Sequence, residues 1–339
     1  MQKRRSSLYL LIALLLFVSL LSRETCTAQS KAPRSYPFLN LPATAHTVAI
    51  GGISLTYVDD NPGVAFDNPA LYGEESAGRL FLSYLHYMTG THSANALYGL
   101  PFNERASWAV GLRAMNYGKM EGYDVHNQAT GSFSATDIAL EGLFNYELTD
   151  MLRGALAIKL IYSNIERYNA LALAVDAGLS YYNSEKGVSL GATITNAGLT
   201  LLSYDQSKPL TAWDLRLGYS QAFLHAPIKL HFTAYGLNPI VLRSSTPTQR
   251  RVSERILRHF TMGIEYRPFK NFWLAAGYNP RLAQDLHIVG GSFISGLSLG
   301  AGFSARHFQV SLAAARYHTS ALSFIFTVST TFGDERFIF

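Results

Sequence analysis

Two short runs in this chain have spacings that carry chemistry in other settings. Gly296-Leu297-Ser298-Leu299-Gly300 has the pattern of a nucleophile elbow, where a serine sits on a sharp turn between a strand and a helix. Gly300-Ala301-Gly302-Phe303-Ser304-Ala305 loosely matches the glycine fingerprint that brings a dinucleotide to a helix N-terminus. Both chemistries require a helix after the run, and residues 295–305 alternate as a strand instead. Ser298 is therefore read as an inward-facing strand residue. The ten histidines are scattered with no His-Glu-x-x-His spacing, and Cys26 is the single cysteine. The sequence predicts no catalytic residue, no metal and no cofactor, and a protein that is not an enzyme.

The charges that remain need elements to place them. Arg113, Lys159, Asp176, Arg216 and Glu265 fall on the polar phase of alternating segments, where they would line a polar lumen or form structural ion pairs. The most basic stretch runs from Arg243 through Arg250, Arg251 and Arg255 to Arg258. It is a candidate contact for a partner protein or for lipopolysaccharide phosphates, with a merely solvated loop as the alternative.

Fourteen such segments are predicted, near residues 78–90, 93–102, 106–118, 134–147, 152–163, 170–183, 187–197, 211–222, 227–237, 257–267, 271–279, 295–305, 307–317 and 321–332. Leu156, Ile158, Leu160 and Tyr162 alternate with Ala155, Ala157 and Lys159; Leu215, Leu217 and Tyr219 alternate with Asp214, Arg216 and Gly218. A Lys or Arg facing lipid at mid-membrane costs roughly 2–4 kcal/mol, and these charges all avoid the apolar phase. The first segment is ambiguous, because Leu80, Leu82 and Tyr84 share it with Phe81 and Leu85. Short gaps such as 103–105, 148–150 and 184–186 alternate with long ones at 119–133, 198–210, 238–256 and 280–294. Short periplasmic turns and long extracellular loops are the habit of outer-membrane barrels, the closed sheets that satisfy every backbone hydrogen bond in lipid. The predicted fold is an all-β transmembrane barrel of about 14 antiparallel strands; a soluble sandwich or propeller is the alternative.

The ends agree with that location. Lys3-Arg4-Arg5, an apolar run from Leu8 to Leu21, and Cys26 and Ala28 before Gln29 read as a secretory signal over residues 1–28. Lipidation of Cys26 is the alternative, with Arg23-Glu24-Thr25 a poor match. Removing the signal takes away four basic residues and one acidic, so the net charge falls from +5 to +2, and the basic pI is no argument for nucleic acid. Only 15% of residues are charged, which suits a protein with one face in lipid. Phe339, beyond the apolar alternation of Leu322 to Phe332, loosely fits the C-terminal aromatic read by the outer-membrane assembly machinery.

Residues 29–76 do not alternate and are read as a separate N-terminal segment, with the barrel over 77–339. Asp59-Asp60-Asn61-Pro62-Gly63 and Asp67-Asn68-Pro69-Ala70 favour turns. Such a segment would fold into the lumen as a hatch, or pack as a tail at the barrel rim.

With Ala49-Ile50-Gly51-Gly52, the Asn68-Pro69-Ala70 element and fourteen strands, the chain resembles the FadL-type outer-membrane barrels, whose N-terminal hatch carries an Asn-Pro-Ala motif. Within them it is more similar to the PorQ-type barrels of type IX secretion, through Phe38 to Gly52, Asp67 to Leu71, Gly131 to Leu143, Ile165 to Tyr168 and Ala174 to Leu179. That resemblance implies an integral outer-membrane component of an attachment complex with PorV-, PorU- and PorZ-like proteins. It would hold a PorZ-like partner so that cargo is joined to lipopolysaccharide. The alternative implied by the wider family is a channel for hydrophobic small molecules.

Overall fold

The computed structural model describes residues 36–57, 61–88, 90–204, 211, 213–238, 252–286, 295–318 and 321–331. The predicted signal, Arg243, Arg250, Arg251, Phe332 and Phe339 lie outside the described residues.

Fourteen strands form a closed antiparallel barrel: β1 (Arg79–Met88), β2 (Thr91–Asn103), β3 (Ala106–Tyr123), β4 (Ala129–Thr149), β5 (Leu152–Ile165), β6 (Tyr168–Asn183), β7 (Val188–Leu202), β8 (Asp214–Ala222), β9 (Ile228–Ala234), β10 (Phe260–Phe269), β11 (Phe272–Tyr278), β12 (Leu297–Ser304), β13 (Phe308–His318) and β14 (Ala321–Thr331). Each pairs with its chain neighbours, and β1 closes on β14 with Leu80 opposite Thr330. Alternation creates the two faces: Leu156, Ile158 and Leu160 are 56%, 58% and 44% exposed, while Ala157, Lys159 and Ile161 between them are buried.

The ambiguity of β1 has a physical cause. Leu82 and Tyr84 face out, but the inward Phe81 and Leu85 are also apolar. Phe81 meets Phe66 (centroids 6.1 Å apart) and Leu85 clusters with Val48 and Ala49. Both faces of this strand are covered by apolar material, so the period-two signal vanishes.

The loop asymmetry also holds. Turns at one end are short, whereas the connections β7–β8, β9–β10 and β11–β12 at the other end are long. Two of these carry helices, α2 (Val252–Leu257) and α3 (Pro280–Asp285), the latter capped by Asn279. One expected loop is different: most of 119–133 is strand. β3 and β4 continue as a paired hairpin past Lys119↔Ser134 and Gly122↔Gly131 to a turn at 124–128, where the Asp124 carboxylate accepts from the backbone of His126 and Gln128. Its polar, glycine-containing sequence hides the strand because no apolar layer faces it.

Residues 36–57 and 61–76 occupy the lumen. They contain the short helix α1 (Ala45–Ala49) and several 3₁₀ turns, including Pro37–Asn40 and Pro69–Leu71. Inward residues right around the barrel meet this segment: Arg113 of β3 donates to the Leu39 and Leu41 carbonyls, Thr327 of β14 accepts from the Ala45 amide, and Ser298 of β12 donates to the Ala49 carbonyl.

Candidate functional site

The luminal segment is held in two ways. Against β3–β8 it meets buried charge set into an apolar layer, where Phe38 and Leu39 pack on Met115, Ala139 and Ile161. The Arg113 guanidinium reaches the Leu39 and Leu41 carbonyls at 2.8 and 2.6 Å, and its Nε donates to Asn95. Lys159 Nζ lies 2.5 Å from Asp176 Oδ2 and 3.0 Å from Asn196 Oδ1, with both ion-pair side chains about 2% exposed. Asn196 and Arg216 both donate to Asn40 Oδ1, at 3.3 and 2.6 Å. These are the inward charges that the sequence placed on the polar phase, now joined to one another and to the segment. From the segment itself, Asp67 accepts from the Thr47 hydroxyl at 2.6 Å. Burial pushes the Asp67 carboxyl up to about 6, partly offset by that hydroxyl.

The Asn68-Pro69-Ala70 motif belongs to the same anchoring. Asn68 is fully buried; its Oδ1 accepts from the Ala70 amide at 3.1 Å, capping the turn that Pro69 opens. Its Nδ2 donates to the carbonyls of Leu55 and Leu179, each at 3.2 Å, so one side chain ties two parts of the segment to β6.

Against β11–β14 the contact is close and apolar. Ala45, Val48, Ala49 and Ile50 pack on Trp273, Ala275, Ala313, Ala315 and Ile325. A Cβ at Gly277 would overlap the Ile50–Gly51 backbone, and one at Gly191 of β7 would overlap the Leu55 carbonyl. Glycine is required at both positions because main chain presses on main chain. Ser298 stands within β12 with its hydroxyl engaged by Ala49, so the elbow-like spacing serves packing.

Between these two walls the fold brings together residues that the sequence left apart. His46 Nε2 is 2.7 Å and His231 Nε2 is 3.3 Å from the same oxygen, Oε2 of Glu265. Arg267 pairs with the other oxygen and donates to the Tyr57 hydroxyl at 2.9 Å, while Tyr57 stacks on His46 at 3.5 Å. No local spacing could have revealed a cluster drawn from α1, β9 and β10.

On the outer face, an apolar groove of about 600 Å³ crosses β10–β14, between Leu274, Ala276, Leu299, Ala301, Leu312 and Ala314. Ala275, Gly300 and Ala313 form its floor and back directly onto α1; a Cβ at Gly300 would lie 2.7 Å from that of Ala49. One layer of small residues separates the groove from the luminal segment.

Of the basic stretch, Arg255 is exposed on α2. Arg258 is buried, donating to Gln284 at 3.2 Å and pairing with Asp285 at 2.8 Å, so it joins the two long connections.

No protein-family profile matches the chain and no curated protein matches it. Solved structures do. The deltaS2S3 mutant of the monoaromatic hydrocarbon channel TodX is 13% identical with a TM-score of 0.56, over 85% of this chain and 98% of that one. The toluene transporter TodX of Pseudomonas putida is 13% identical with a TM-score of 0.53, over 84% and 97%. The monoaromatic hydrocarbon channel CymD is 11% identical with a TM-score of 0.53, over 88% and 99%. The shared property is the fold, a closed barrel of fourteen antiparallel strands. The finer likeness to PorQ-type barrels rests on the sequence motifs alone.

Proposed function

We propose that this chain is an integral outer-membrane protein that takes up hydrophobic small molecules from the lipid side of its wall, and is not an enzyme. The groove over β10–β14 carries this reading, since it is apolar, roomy and backed by α1 through a floor of small side chains. Ligand sites are concave and mostly apolar, and this one opens where a barrel meets acyl chains. The hydrocarbon channels of the same fold support it over the attachment-complex reading. In this reading the luminal segment acts as the hatch, with Asn68, Pro69 and Ala70 among its fastenings. The test is binding of a fluorescent fatty acid or aromatic probe to the purified protein in liposomes. Ala301→Phe fills the groove with apolar bulk on the outer face and should weaken binding severalfold; unchanged binding would remove the groove from the mechanism.

A second reading, the type IX scaffold, is favoured by the β3–β4 hairpin, which presents Val125 at 95% and Tyr123 at 55% exposure. Affinity purification in mild detergent separates the two. Stoichiometric PorV-, PorU- and PorZ-like partners support the scaffold, whereas a lone barrel carrying bound lipid supports uptake.

A further inference from the structure

We propose that His46, His231 and Glu265 bind one first-row divalent transition metal, which fastens the luminal segment to the barrel wall. The three ligating atoms lie within 4.8 Å of one another, and all three residues are buried. Donors around a metal at about 2.0–2.2 Å stand roughly 3–3.5 Å apart. The separations of 2.7 and 3.3 Å from Glu265 Oε2 are within a few tenths of an ångström of that range, and the two imidazole nitrogens lie within 4.8 Å of each other. Two imidazoles with one carboxylate is a donor set suited to zinc, cobalt, nickel or iron, and poorly suited to calcium or magnesium.

The surroundings are those of a ligand set held in place. Arg267 takes Glu265 Oε1, which leaves Oε2 as a single, directed ligand. Tyr57 stacks on the His46 ring and Trp273 meets it edge-on at 4.9 Å, fixing its plane. A cavity of about 10 Å³ lined by His46, Tyr57, Asn61 and Gln309 is at the lower size limit for one water, the usual partner of a ligand imidazole's outer nitrogen. Hydrogen bonding alone is the competing account. It requires one carboxylate oxygen to accept from two imidazole donors; Nδ1 of both rings is buried without a protein partner in either account. The site lies four residues from the end of β10 at the short-turn rim, and the Arg267 side chain is 42% exposed there, which gives an ion a route in.

The site joins residue 46 of the segment to residues 231 and 265 of the wall, so metal occupancy would govern how firmly the segment is seated. The experiment uses the full-length, untagged protein in detergent, stripped with chelator and titrated with Zn²⁺ by calorimetry and with Co²⁺ by visible absorption. Wild type is expected to take up one equivalent with micromolar or tighter affinity. Glu265→Gln preserves shape and hydrogen bonding to the histidines, and it and His231→Ala should each lower affinity by at least about tenfold. His126→Ala, in the distant hairpin turn, should not. Heat-modified mobility on gels reports that each variant is folded. Absence of saturable Zn²⁺ and Co²⁺ uptake by wild type overturns the proposal whatever the variants do, as does unchanged affinity in folded Glu265→Gln.

Discussion

The luminal segment packs on apolar side chains all round, but its two walls add different materials to that contact. Along β3–β8 it is held by ions and amides: Arg113 on two carbonyls, Lys159 with Asp176 and Asn196, Arg216 on Asn40. Along β11–β14 it is held by alanines and glycines that let α1 approach until backbones touch. The first wall depends on every charge finding its partner, because an unpaired buried ion costs far more than a paired one contributes. The second depends on the absence of atoms. The groove lies on the outer side of the second wall, over Ala275, Gly300 and Ala313.

The walls should therefore fail differently. The largest effect is expected from Lys159→Met, which strands Asp176 in the lumen and should cost about 3–5 kcal/mol in urea unfolding from detergent. Adding Asp176→Leu should recover most of that loss; failure to recover would mean that the pair is bound into a wider charge network. Next comes Gly277→Val, which forces side-chain atoms into the Ile50–Gly51 backbone. It should cost about 1–3 kcal/mol and expose the segment to limited proteolysis while the barrel stays folded. No second-site charge change should rescue it.

Two smaller effects sharpen the polar side. Asp67 is held at about 6, above its usual 3.8, by burial. The folded state keeps this proton where the unfolded chain has lost it. Its stabilising contribution is thus complete below about pH 4 and is lost as pH rises through 6. Urea midpoints measured between pH 4.5 and 7.5 should fall more steeply in wild type than in Asp67→Asn; parallel slopes would show the carboxyl to be solvated. Last, Asn68→Ala removes a cap and two carbonyl contacts and should cost about 1 kcal/mol.

The strands were legible because an exposed apolar face on one side and a filled, largely polar lumen on the other write a period of two into β5, β8 and β10. Where either side changes, the writing fades. β1 loses its alternation against Phe66 and Val48, and the β3–β4 hairpin loses it where the strands run on past the apolar belt. The inward charges could be listed from sequence, but their pairings join residues such as Lys159 and Asn196 from separate strands. Asn68 was visible as a motif, while its grip on Leu179, 111 residues away, was not. The His46–Glu265 contact spans 219 residues, a distance over which no sequence spacing carries meaning.

The position of the segment within a closed ring also bears on how it can be reached. Residues 36–76 precede β1 in the chain, yet they bond to β3, β6, β12 and β14 from inside. A ring already sealed between β1 and β14 leaves no side entrance for a piece this thoroughly bonded. The β1–β14 seam joins the two ends of the barrel sequence, and the Ala45–Thr327 bond between segment and β14 spans 282 residues, so both are among the contacts slowest to find by diffusion. β14 thus both closes the ring on β1 and accepts from the Ala45 amide of the segment. A chain that lacks residues 36–76 would leave the inward polar groups of β3, β6, β12 and β14 without these partners.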